Sequence, residues 1–315
     1  MPAVRDEARP LTAGEVARWE DDGYLLLEDQ IPLEEIELTR RILRHDRDFL
    51  EAEIDQIDDE GRRARQSWRL WELPEGDVYA AFARHPAIVR RLEQLLGERV
   101  FHYHHKMILK EKGTAGSWLF HQDYVRSRLP SAPPPPRAHA AAPLQGYWHS
   151  QFARPLLASC MIALRPTSRA NGALEVLRGS HKAGRLEHGQ VGQRLDQVGA
   201  ETRRVELLAE HCPLTPMEME PGSLLFFHCN LLHSSGPNRS DQPGTRLICC
   251  YATVDNPPFE RDQYPDRMDR MDGLSAEEGR LGPVGVLSAE ERAEVAAGHW
   301  RRVRGNAPPE VASRL

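Results

Sequence analysis

From Gly97 to Asp255 the chain is written in short runs rich in β-branched and aromatic residues: VFHYHHKMILK, WLFHQDY, LLASCMIALRP, GALEVLRG, GSLLFFH and RLICCYATV. Such runs cannot stand alone, because a lone strand leaves its backbone N–H and C=O groups unpaired. Asn171-Gly172 and Pro221-Gly222, lying between runs, supply the tight reversals that antiparallel pairing needs. Strands this closely spaced predict a mainly β sandwich or barrel.

The flanks are written differently. Thr12 to Glu15 reads as a capping box opening a short helix that Gly23 stops, and the strand-like YLLLE follows. Ile36, Leu43, Leu50, Ile54 and Ile57 recur at helical steps, predicting one amphipathic helix from Pro32 to about Ile57. Another helix is predicted from about Val78 to Leu96, closed by Gly97, so that residues 1–97 form a mostly helical flank. Residues 98–255 form the β core. Beyond it, residues 256–315 form a polar, Pro-rich extension with a last helix from about Ser288 to Val303, all within one domain.

Composition excludes several function classes. A net charge of −6 and a pI near 6.2 argue against a nucleic-acid binder, which needs a basic surplus on one face. No stretch approaches the roughly 20 apolar residues of a membrane span, and MPAVRDEARPLTAGEV lacks a secretory h-region, so a cytoplasmic location is expected. The five cysteines include no CxxC pair and read as buried small apolar residues.

Chemistry enters at His121 and Asp123. Strand side chains alternate between faces, so these two project together, with Gln122 on the other side. FFHCNLLHSSGPN offers His228 or His233 as a third ligand, and His233 is preferred because it ends the run before a turn. Two imidazoles and one carboxylate with the remaining positions open is the donor set of non-haem Fe(II) oxygenases. The common co-substrate 2-oxoglutarate chelates iron through its oxo-acid end and leaves a distal carboxylate in need of a cation. Arg246 opens the run RLICCY and can take it with two parallel hydrogen bonds, whereas Arg239 sits in a turn where solvent is expected.

Read together, HYHHKMILKEKG, HQDY, ALRPTSRANGALEVLRGSHKAG, PGSLLFFHCNLLHSSGPNRS and TRLICCY resemble the phytanoyl-CoA dioxygenase family of Fe(II)/2-oxoglutarate oxygenases. The resemblance implies a double-stranded β-helix (jelly-roll, cupin-like) wrapped by helices. It implies iron on His121, Asp123 and His233, 2-oxoglutarate on Arg246, O2 as second co-substrate and a small-molecule or lipid-like substrate to hydroxylate. By the same matching, Met107, Gln122 and Ser235 lie against the co-substrate. Chlorinating relatives lack the carboxylate, so Asp123 implies hydroxylation. Arg165 and Ala170 stand where the family usually carries an acidic residue, implying altered substrate contacts or a lost salt bridge. The alternative is a catalytically impaired member serving as a binding or regulatory module. A serine hydrolase is disfavoured by the lack of a GxSxG elbow.

Other features receive plainer readings. His102, His104 and His105 tempt as a second metal site, but no later residue completes one, and they read as surface histidines or as one facing the co-substrate. His181 either touches substrate or fixes a turn, and Trp68 and Trp71 read as core at a seam between helix and barrel. In the resembling family HQDY runs almost directly into GYW. Residues 125–145, with four consecutive prolines, are therefore an insertion, either a loop over the site mouth or an intron retained in frame.

Overall fold

A computed structural model describes residues 9–57, 63–71, 78–113, 116–124, 152–191 and 194–256. The predicted helix at 288–303 and the insertion at 125–145 lie outside the described residues.

Helix α1 (Ala13–Asp22) has the expected capping box, the Thr12 hydroxyl accepting from Glu15 N and the Glu15 carboxylate from Thr12 N. Gly23 ends it at φ 79°, a left-handed conformation that glycine adopts without Cβ strain. Strand β1 (Tyr24–Leu27) follows. The single helix expected from Pro32 to Ile57 is a correction: the chain forms α2 (Leu33–Leu43), a one-turn α3 (Arg47–Leu50) and then strand β2 (Glu53–Ile57). Asp46 makes the break, one carboxylate oxygen accepting from Phe49 N at 3.0 Å and the other from the Tyr79 hydroxyl at 2.8 Å. Beyond it, pairing with β3 (Arg63–Trp71) fixes Glu53–Ile57 as strand, so the flank is less helical than expected. The helix expected from Val78 to Leu96 is likewise two, α4 (Val78–Ala83) and α5 (Pro86–Leu96). Pro86 starts the second, and the His85 imidazole caps it by accepting from Ala87 N.

All six runs of the core form strands: β4 (Val100–Lys110), β5 (Trp118–His121), β6 (Leu157–Ala163), β7 (Leu174–Leu177), β11 (Leu224–His228) and β13 (Gly244–Thr253). Between them the structure adds the hairpin β8 (His188–Val191) and β9 (Arg194–Ala200), helix α6 (Thr202–Ala209), and the three-residue strands β10 (Leu214–Pro216) and β12 (His233–Ser235). The large sheet runs β1-β11-β6-β13-β4-β3-β2 and the small one β10-β7-β12-β5. All pairings in them are antiparallel.

Strand alternation decides what each face touches. Met107, Cys160, Ile162, Leu224, Phe226, Leu247 and Cys249 point to the helices, joining Trp19, Ile36, Phe82 and Leu92 in one core. Their neighbours Ile108, Met161, Ala163, Leu225, Phe227, Ile248 and Cys250 point inward to Leu174 and Val176 of the small sheet. Each fully buried side chain of this kind contributes about 1.5–3 kcal/mol, and with both faces of the large sheet covered all ten residues of β13 are buried. This is a double-stranded β-helix, and its inner space between the sheets is where the polar residues gather.

Candidate metal centre

His121 closes β5 and His233 opens β12, and antiparallel pairing sets them directly opposite each other with ring centroids 4.2 Å apart. Cross-strand register thus joins residues far apart in the chain. Asp123 arrives by a different route from the one expected. The strand stops at His121, and a bend, held by Tyr124 N donating to Cys229 O, brings the carboxylate back. Its Oδ1 lies 3.9 Å from His121 Nε2 and 3.9 Å from His233 Nε2. The three ligand atoms fall within 4.8 Å of one another, and all three residues are buried.

The donors are prepared for a cation. His121 Nδ1 donates to Leu119 O at 2.6 Å and His233 Nδ1 to Leu231 O at 2.9 Å, which leaves each Nε2 with its lone pair facing the centre. Burial lowers the pKa of both rings, well below the ordinary value for His121, where the neighbouring His233 adds to the effect. Both are therefore neutral and able to ligate. The Ser159 hydroxyl donates to Asp123 Oδ2 at 3.3 Å, orienting the carboxylate, and the Phe227 ring packs edge-on to His233 at 5.2 Å. A buried pair of neutral imidazoles with one carboxylate fits a divalent iron.

At the other end of the inner space Arg246, on β13, is 2% exposed. Its Nη1 donates to Gly172 O at 2.7 Å and its Nη2 reaches Asn171 O at 3.4 Å, so the Asn171-Gly172 turn carries the guanidinium. Burial alone lowers its pKa to about 10. Ser235 stands beside it across Lys110, whose Nζ meets Ser235 Oγ at 2.5 Å and Gly236 O at 2.6 Å.

Two expected co-substrate contacts are corrected. Met107 points the other way, into the helix-side core opposite Arg246, because Arg246 pairs with its neighbour Ile108 and adjacent strand residues face opposite sides. Gln122 is fully buried, but its amide donates to Gly184 O and Asn230 O at 2.7 Å and accepts from Leu186 N at 2.7 Å. It braces the bend that carries Asp123.

The remaining readings sort by position. His228 packs against Trp19 and His181, away from the centre. His181 fixes a turn through Glu20 O. His102, His104 and His105 are buried rather than on the surface, and His105 and His102 meet each other at 3.1 Å. Trp68 lies on strand β3, not a helix, half-buried against the inner cluster, while the Trp71 side chain is outside the described set. Arg239 is exposed, as expected, and four of the cysteines are buried, with Cys212 half-buried. Burial lowers the pKa of Arg165, and Arg40 of α2 and Arg44 just beyond it act in the same direction. Sequence reasoning missed Ser159, Lys110, Lys106 and His188. Lys106, half-exposed opposite Ile248, acts electrostatically on both His121 and His233, and the His188 imidazole accepts from Gln122 N. Alternation along VFHYHHKMILK, which sets Lys106, Ile108 and Lys110 on one face, was the available signal for the two lysines, and no such pattern marks Ser159 or His188.

A double-stranded β-helix with two histidines and an aspartate at its inner face defines the class of 2-oxoglutarate-dependent non-haem iron oxygenases. The chain belongs to the phytanoyl-CoA dioxygenase family, whose model matches residues 19–247. It is thereby an iron-dependent dioxygenase that uses 2-oxoglutarate and O2. Among similar proteins, an ectoine dioxygenase of Streptomyces avermitilis is 24% identical over 85% of this chain and 88% of its own length. An L-proline trans-4-hydroxylase of Streptomyces griseoviridis is 27% identical over 62% of this chain and 70% of its own. EctD from S. alaskensis, solved with 2-oxoglutarate and 5-hydroxyectoine, superposes with a TM-score of 0.59 at 20% identity, covering 82% of this chain and 84% of EctD.

Proposed function

We propose that the chain hydroxylates an unactivated C–H bond of a small molecule, holding Fe(II) on His121, Asp123 and His233 and the distal carboxylate of 2-oxoglutarate on Arg246. Iron held there supplies the oxidising chemistry, by which one atom of O2 becomes the new hydroxyl, the other enters succinate, and CO2 leaves. The chain's own residues prepare this. Leu119 O and Leu231 O hold the imidazole tautomers, Ser159 orients Asp123, and the Phe227 ring packs edge-on to His233. The retained Asp123 supports hydroxylation over halogenation, since it fills the position a halide would need. Ectoine and proline, for which two relatives are named, are small molecules, which favours that substrate class over a lipid-like one. A cytoplasmic location belongs to the same reading, where the free cysteines stay reduced.

The observation that carries the proposal is the convergence of the three donor atoms with both Nδ1 positions already engaged. Succinate release from 2-oxoglutarate, measured with and without added iron, tests it. The wild type releases succinate only with iron, and Asp123→Ala abolishes release; unchanged turnover in that variant refutes the ligand assignment. Iron-independent behaviour of the wild type, with 2-oxoglutarate merely bound, would instead favour the binding-module reading.

A further inference from the structure

We propose that Arg40, Arg41, Arg44 and Arg165 form a surface site for the phosphate group of a small phosphorylated molecule, on the helix side of the large sheet and apart from the metal centre. The inference does not rest on the function proposed above. Helix α2 turns Ile36 and Ile42 into the helix-side core, and Glu37, Arg40, Arg41 and Arg44 follow one another at helical steps along another face. One carboxylate serves three guanidiniums there. Glu37 lies 3.0 Å from Arg40 Nη1, 3.7 Å from Arg41 Nε and 3.5 Å from Arg44 Nη2.

Arg165 joins them from another element. It follows β6, and the backbone around it is pinned: Ala163 O accepts from Gly222 N at 2.9 Å, Leu164 N donates to Thr245 O at 3.1 Å, and Thr167 and Met219 exchange two hydrogen bonds. Its side chain is half-buried, and burial first, then Arg40 and Arg44, lower its pKa. Among the described residues no acceptor meets its guanidinium, and Arg40 Nε is buried without one.

Basic side chains in the last turn of a helix complement its macrodipole, which accounts for Arg40, Arg41 and the C-cap Arg44 without any ligand. It does not account for Arg165, a fourth cation brought against like charges by a separate part of the chain. The acids that act on Arg165 are Glu37 and Glu111. Other carboxylates near the end of α2 are engaged, Asp46 with Phe49 N and the Tyr79 hydroxyl, and Asp48 with Arg69 at 3.7 Å. Four guanidiniums against two carboxylates leave a surplus of two positive charges, in a chain whose net charge is −6. A phosphate monoester carries a charge of about −1.5 to −2 and presents oxygens that guanidinium forks take in pairs. A singly charged anion leaves the surplus half met. The negative charge of the whole chain opposes an anionic membrane or a nucleic-acid strand, so the phosphate belongs to a small molecule.

Calorimetric titration of the Zn(II)-loaded full chain, with excess 2-oxoglutarate present to keep the probe from Arg246, tests this at low salt, where exposed charges are least screened. The probe is glycerol 2-phosphate and the comparison is methyl sulfate, a similar oxyanion with a single charge. We expect saturable binding of glycerol 2-phosphate with a Kd of about 1 mM or below, and of methyl sulfate about fivefold or more weaker. Arg165→Ala should weaken glycerol 2-phosphate binding by about tenfold, and Glu37→Gln, which removes the competing carboxylate, should tighten it by about threefold. Arg203→Ala, on α6 where Arg203 pairs with Glu206, should leave it unchanged. A wild type that fails to bind the probe, or that binds methyl sulfate equally well, overturns the proposal, as does an Arg165→Ala protein with wild-type affinity. Should a melting curve show Arg165→Ala to be misfolded, Glu37→Gln decides, because damage does not produce a gain in affinity; an unchanged affinity in that variant overturns the proposal.

Discussion

Each histidine of the centre uses one ring nitrogen to face inward and the other to hold its own loop, so geometry and chemistry are set by the same two backbone carbonyls. The carboxylate is held less directly, through the bend after His121, and Gln122 is what keeps that bend in place. Replacing Gln122 with Leu strands Gly184 O, Asn230 O and Leu186 N in a buried place, at a cost of about 3 kcal/mol or more. The expected outcome is a Tm lower by roughly 5–10 °C, with the 2-oxoglutarate affinity of the folded, Mn(II)-loaded protein little changed. A large loss of affinity at unchanged Tm would restore Gln122 to the co-substrate. The meeting of His121, Asp123 and His233, and the buried place of Arg246, were legible at this scale because residue type and spacing carry ligand chemistry. Met107 and Gln122 were misread because family matching carries position without direction. For Met107, counting one strand step from Arg246's partner Ile108 would have turned it outward.

Among the elements, the turn at Asn171-Gly172 links strand grammar to the proposed co-substrate site through Arg246. Gly172 sits at φ 74°, its carbonyl holds Arg246, and a Cβ there would meet Gly236 O at 2.5 Å. Gly172→Ala therefore has to push this turn off the chain leaving β12, and should cost about 1–3 kcal/mol. Metal affinity should hold, since the pairing of β5 with β12 lies upstream of the clash, while 2-oxoglutarate affinity falls. Parallel metal and 2-oxoglutarate titrations with a melting curve check this; a loss of metal binding equal to the loss of 2-oxoglutarate would show the two ends of the site to be one unit. Strands β4, β5, β6, β7, β11 and β13 were legible from composition and turn residues. The breaks at Asp46 and Pro86 were not, because Ile54 and Ile57 continue a helical stripe as readily as they fit a strand. β12 escaped notice since three residues carry no period; its pairing exists only through β5 and β7.

For the whole molecule, the question is whether the polypeptide between Tyr124 and Phe152 is needed to build the fold. The two ends of that excursion already touch: the Tyr124 hydroxyl lies 3.1 Å from Phe152 O and 3.0 Å from Ala153 O, and both rings belong to one buried cluster with Phe101, Tyr103 and Leu157. Among the described residues the base is already closed. Deleting Val125 to Gln145 leaves residues 146–151 to span a gap whose ends are in contact. By loop-closure entropy the shorter connection favours folding by about 1.3 kcal/mol. The expected outcome is a folded protein with a Tm equal to or above the wild type and equal or greater iron-dependent succinate release. Transcript sequencing bears on the origin of the segment, since uniform retention of its codons in mature messenger rules out an intron. A deletion that unfolds the protein would show that the excursion supplies part of the core, and one that folds but loses turnover would assign it to the site mouth.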